Sequence, residues 1–156
     1  MPPLPGTFLD GAAMVTSANA PVVGLTLRYD RADNFWFTLL HELSHICLHY
    51  EILVEGHTSF VDDMEMVSDD FREQEADKLA QDSLIPSSIL EQVVWSLDSR
   101  LDDIATVSAR ALVPVTVVAG RWQRDHQNYK KFSGLIDRSS VRSLLLPGNT
   151  LDGPHE

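Results

Sequence analysis

Residues 41–50 read HELSHICLHY, with histidines at 41, 45 and 49 and a glutamate at 42 inside an otherwise apolar stretch. On a helix, residues four apart lie one turn above one another, so His41 and His45 project together. Two imidazoles placed this way can reach a single tetrahedral Zn²⁺ at about 2.0 to 2.1 Å. A glutamate next to the first of them points to the flank where a water on the ion would sit. The order His-Glu-x-x-His therefore has a mechanical reason: His41 and His45 hold the ion, and Glu42 takes a proton from water. The competing reading is a set of hydrogen-bonded core histidines, and the placement of the pattern on one helix argues against it.

Two ligands do not complete a site. Candidates for the third are His49, His57, the acids of VDDMEMVSDD (61–70) and the glutamates Glu73 and Glu75. His49 lies one turn beyond His45, too far along the helix to share an ion with both other histidines, and it is expected to support them. On the following helix, Phe71, Ala76 and Leu79 mark an inward face, with Glu75 inside that arc and Glu73 at its edge. A carboxylate on an apolar face must be paired, neutralised or bound to a metal. Periodicity thus selects Glu75, the alternative being an ion pair to Arg or Lys.

Several elements must position these residues. AAMVTSANAPVVGLTLRY suggests two strands within about 12–29 joined by a polar turn, an antiparallel hairpin. Polar cap chemistry at Asp30 to Asn34 precedes a helix over about 33–50, whose apolar arc of Phe35, Trp36, Leu39, Leu40, Leu43, Ile46, Cys47 and Tyr50 is expected to face the core, with Cys47 an inert small hydrophobe. A short strand is expected at TSFV (58–61). A second helix is expected over about 69–85, started by a capping box of Asp70 with Glu73 and ended before Pro86. PSSILEQVVWSL, SRLDDIATVSARAL and VPVTVVAGRWQRDHQ complete a helical part over about 87–145; the β-branched run of the last favours a strand, but Pro114 in a first turn and the polar continuation tip it to helix. The Gly/Pro-rich 146–156 forms a tail that frays.

The 156 residues suit one domain with its own core. The composition, 44% hydrophobic and 22% charged, is that of a globular protein. A formal charge of −11 argues against direct binding of nucleic acid or anionic membrane by the chain as a whole. No apolar run approaches the roughly 18 to 20 residues of a spanning helix. A single cysteine, Cys47, and an N-terminus without export features make the cytoplasm the simplest home. One stretch runs against the overall charge: residues 121–142 hold Arg121, Arg124, Lys130, Lys131, Arg138 and Arg142 against Asp125 and Asp137. They are expected to pair with the acidic 62–82 stretch, or else to dock an acidic partner.

VVGLTLRYDRADNFWFTLLHELSHICLHY (22–50), FVDD (60–63) and EQEADKLAQDSLIP (73–86), in this order, resemble the ImmA/IrrE metallopeptidases, particularly the version attached to XRE-type helix-turn-helix regulators of the HigA-like antitoxin kind. The resemblance covers about residues 4–145 and is most specific over 22–86. It implies an α+β, zincin-like domain over 1–145: a small antiparallel or mixed sheet packed on the HExxH helix and on further helices. A glutamate from a later helix, by position Glu75, would join His41 and His45 on Zn²⁺, with Glu42 as the catalytic base. The implied activity is zinc-dependent endopeptidase cleavage, with an XRE-type repressor as the protein substrate, in a phage, stress-response or toxin-antitoxin setting. An extended substrate would add to the sheet edge near GLTLRY (24–29), and His49, Tyr50, His57 or Tyr29 would stabilise the oxyanion. The alternative is a non-cleaving, zinc-containing regulatory or antitoxin domain that binds a partner. The attached regulators usually carry an N-terminal DNA-binding domain, whereas this chain starts directly at the peptidase-like part, as a shortened or a stand-alone protein would. The oligomeric state is left open.

Overall fold

The computed structural model describes residues 10–55, 63–138 and 141–145, of which 63–70 by their backbone alone. Strands β1 (Gly11–Val15) and β2 (Pro21–Leu25) form an antiparallel hairpin in which Gly11 faces Leu25 and Val15 faces Pro21. Its turn closes through Thr16 and Ala20, with Asn19 in the left-handed region that asparagine tolerates. Helix α1 (Ala32–Glu55) follows, then α2 (Asp63–Leu84), a single turn α3 (Ser87–Leu90), α4 (Leu101–Ala111), α5 (Val115–Asp125), a 3₁₀ turn at Ser133–Leu135 and α6 (Val141–Leu145). The architecture is mixed α+β, and the sheet among the described residues has two strands. The expected strand at 58–61, His57, the Pro-rich start and the 146–156 tail lie outside the described residues. No single described helix is long and apolar enough to cross a membrane.

Local chemistry explains most boundaries. The Arg100 amide donates to the Asp103 carboxylate at 2.7 Å, closing the first turn of α4, and Leu112 in the left-handed region ends that helix. Pro114 precedes the first residue of α5, where its fixed φ suits a helix start. Two expectations fail here. The helix expected over 86–97 stops at Leu90, because the Ser99 hydroxyl bonds the carbonyls of Val94 and Ser96 and accepts the Trp122 indole N–H at 3.0 Å, diverting the backbone from a helical path. The capping box at Asp70 is not a helix start either, since α2 begins at Asp63.

The apolar core lies under the C-terminal half, where Ile85, Ile104, Val107, Val118 and Trp122 are fully buried. Helix α1 departs from the expectation more sharply. Its buried residues are Asp33, Glu42, Ser44 and His49, all polar, while Trp36, Leu43 and Cys47 of the supposed core arc are exposed. The hairpin, α2 and α5 all pack on α1 and bury these polar residues, and among the described residues they leave Trp36, Leu43 and Cys47 uncovered.

The approach of α5 to α1 is close. A Cβ on Gly120 would lie 2.1 Å from Asp33 Oδ2, and Asp33 is fixed by a two-pronged contact with Arg31, Nε to Oδ1 at 3.0 Å and the terminal nitrogen to Oδ2 at 2.7 Å. Alanine normally stabilises a helix interior over glycine by about 1 kcal/mol. At residue 120 the sign reverses: Gly120→Ala is expected to lower stability by roughly 1 to 3 kcal/mol through overpacking, read as a lower urea midpoint with an unchanged slope.

Candidate metal centre and active site

α1 and α2 meet along a stripe of α2 formed by Glu73, Ala76, Asp77 and Ala80, at helical spacing. Ala76 and Ala80 are fully buried, and such small side chains let the two helices approach closely. That approach carries Glu73 and Asp77 to the histidines. His41 Nε2 and His45 Nε2 lie 3.0 Å apart, and the two Glu73 carboxylate oxygens lie 3.1 Å from His41 Nε2 and 3.3 Å from His45 Nε2. Bonds of about 2.0 to 2.1 Å in a tetrahedron separate donor atoms by roughly 3.3 Å. The three side chains therefore converge at the spacing a zinc-sized cation requires, and the nitrogen and oxygen donors are of the kind such an ion takes.

The imidazoles are held from behind. With both Nε2 lone pairs turned to the shared point, His41 Nδ1–H donates to Asp77 Oδ1 at 2.8 Å. His45 Nδ1–H donates to His49 Nδ1 at 3.3 Å, and His49 Nε2–H reaches Glu75 Oε2 at 3.4 Å. α1 leaves helical geometry at His49, with φ −125° and ψ 23°, and the buried His49 ring lies against His45. Outer partners of this kind set the tautomer and orientation of a ligating histidine. Burial pulls the pKa of His45 below the ordinary histidine value; the Glu73 carboxylate opposes that shift, and His41 and His49 add to it. A neutral imidazole is the form that binds metal.

The geometry differs from the expected ligand set, in which Glu75 stood third. Glu73 joins His41 and His45, while Glu75 pairs with His49. Phe71 and Leu79 misled the periodicity, for both are exposed and the packed face of α2 runs instead through the two alanines. Asp77, four residues after Glu73 on the same face, was legible by the same spacing once that face was known.

Glu42 stands beside the cluster, buried and outside the triangle of donors. Burial raises its carboxyl above the ordinary range; the His41 charge lowers it, Glu73 raises it, and a hydrogen bond from the Ala13 backbone lowers it. Gly11 makes room for this arrangement, since a Cβ there would lie 2.7 Å from Glu42 Oε1 and 2.7 Å from Thr38 Cγ2. The cleft over the site encloses about 670 Å³ and is walled by β1, α1, α2 and Arg124 of α5. Thr26 N–H donates to the Asp10 carbonyl, so alternation turns the backbone groups of Gly11, Ala13 and Val15 to the edge of β1 away from β2, where the Ala13 amide meets Glu42. The strand on the cleft is therefore β1, not the 24–29 segment expected. Tyr50 donates its hydroxyl to the Asn19 carbonyl at 2.7 Å, and Tyr29 is exposed beside Arg28; neither lines the cleft.

The basic stretch is dispersed rather than gathered on one face. Arg121 pairs with Asp125, Lys131 bonds the Leu97 carbonyl, and Arg142 reaches Asp30 and Leu27. Arg124 alone enters the cleft, and nothing local in the sequence marks it.

The cleft of this small α+β domain gathers two histidines and four carboxylates, Asp10, Glu42, Glu73 and Asp77, a donor set suited to a metal ion. Residues 10–123 match the IrrE N-terminal-like domain of the peptidase M78 family, and the chain belongs to that family. No curated protein and no solved structure gives a significant match.

If this cluster binds the ion, Glu73→Ala should abolish tight metal binding, because two protein donors remain. Glu75→Ala should weaken it by at most roughly 10- to 100-fold, the usual effect of an outer partner. Competition with a chromophoric chelator for Zn²⁺ measures both, and equal loss in the two variants would contradict the assignment.

Proposed function

We propose that the chain is a zinc-dependent endopeptidase in which His41, His45 and Glu73 hold the ion and Glu42 is the catalytic base. Glu42 carries this reading: a carboxylate is kept buried beside the donor cluster, takes no place in it, and is aimed by a backbone amide of the strand that lines the cleft. The ion's contribution when bound is Lewis acidity towards a scissile carbonyl and a water. Glu42 accepts the proton of the attacking water and returns it to the leaving amine, and a raised pKa suits the second of these steps. An extended peptide adds to the outward edge of β1, whose main-chain groups hold any sequence in register. The resemblance to regulator-linked relatives supports an XRE-type repressor as substrate, in a phage, stress-response or toxin-antitoxin setting. The single cysteine supports a cytoplasmic home.

Glu42→Gln should retain zinc and fold while losing about 10² to 10⁴ in rate. Cleavage of candidate repressors followed by mass spectrometry tests this, and regulation in cells by Glu42→Gln equal to that of the parent would favour a non-cleaving binding domain. Gly11→Ala is expected to keep zinc, because no donor is touched, yet to lower kcat by displacing Glu42; an unchanged kcat would show that the Gly11 contact does not aim the base.

A further inference from the structure

The guanidinium of Arg124 stands against the Phe37 ring, 3.5 Å from its centroid, and Phe37 in turn neighbours His41 with 6.0 Å between ring centroids. Each carboxylate near Arg124 already has a partner: Asp77 accepts from His41, Asp33 is gripped by Arg31, and Asp125 accepts from Arg121 and from the Trp95 indole. No hydrogen bond or ion pair engages the Arg124 guanidinium among the described residues. A partly buried fork of five N–H donors, facing a cleft and left without an acceptor, is matched by a planar anion that arrives with the substrate.

We propose that Arg124 determines specificity in this cleft by taking the side-chain carboxylate of an Asp or Glu in an extended peptide. At about 3.3 Å per residue, the distance from Arg124 past Phe37 to His41 places that residue within roughly three positions of the bond to be cut. The position relative to a cut bond rests on the peptidase reading; the carboxylate preference does not. The surroundings sharpen the selection. The chain is strongly acidic and Asp10, Glu42, Glu73 and Asp77 line the cleft, so away from the ion and Arg124 an acidic side chain is repelled.

The test uses the zinc-loaded chain and a synthetic peptide library containing all residue types, with cut sites read by mass spectrometry. Zinc-loaded Glu42→Gln serves as a capture probe for the same library. Asp and Glu should be enriched at one fixed distance from the cut and among captured peptides. Arg124→Gln should reduce the preference for Glu over Gln by roughly 10- to 100-fold, and Arg124→Glu should turn it towards Lys and Arg, with zinc content and Tm checked in each. Arg124→Lys keeps the charge and the packing stem while losing the fork, so it should show a partial loss even if the other variants unfold; a full rescue by Lys would reduce Arg124 to a counter-charge for Asp77 and Asp33. Cutting or capture without acidic preference, or a preference that survives in Arg124→Gln, overturns the proposal. Arg124-dependent capture of acidic peptides that the parent never cuts would uphold it while removing the peptidase reading, and neither cutting nor capture would remove both.

Discussion

Everything at this site depends on how closely α2 lies against the polar side of α1. Ala76 and Ala80 take up so little space that the backbones approach, and the residues flanking them, Glu73 and Asp77, meet His41 on its two ring nitrogens at 3.1 and 2.8 Å. One turn of α2 thus supplies both a donor for the shared point and the carboxylate that orients a neighbouring donor. A bulkier residue at 76 or 80 would push these acids away together, because they share a rigid helix.

This contact accounts for the unusual burial of α1. Bringing imidazoles and carboxylates together requires an enclosed polar volume, and a helix has only one side to give to it. α1 therefore buries Asp33, Glu42, Ser44 and His49 and leaves Trp36 and Leu43 in the open. Buried polar groups are tolerated when each is bonded, and here they are: Asp33 to Arg31, Ser44 to the Leu40 carbonyl, His49 to His45 and Glu75, and Glu42 to the Ala13 amide. The apolar free energy of the fold comes instead from the C-terminal core around Trp122, at a distance from the chemistry.

Two glycines let the remaining walls come near enough. Gly11 allows β1 to lie over Glu42 and Thr38, and Gly120 allows α5 to lie over Asp33, which carries Arg124 to the cleft rim. The cleft is consequently assembled from four elements, each held at a distance that a single methyl group would change.

The sequence by itself determined what is local. The one-turn spacing of His41 and His45, the glutamate beside the first, the hairpin, the start of α1 and the Pro114 start of α5 follow from helical pitch, strand alternation and cap chemistry, which act between near neighbours. The tertiary structure alone decided what depends on rotation and approach. Glu73 and Glu75 differ by roughly 200° around α2, and which of them meets the histidines depends on the face that packs, set here by two alanines and not by the larger Phe71 and Leu79. Arg124 lies 87 residues from the Phe37 it covers, and Tyr50 is drawn to the hairpin turn and away from the cleft. Hydrophobicity could not foretell these placements, because at this site the polar side of the helix is the one that is buried.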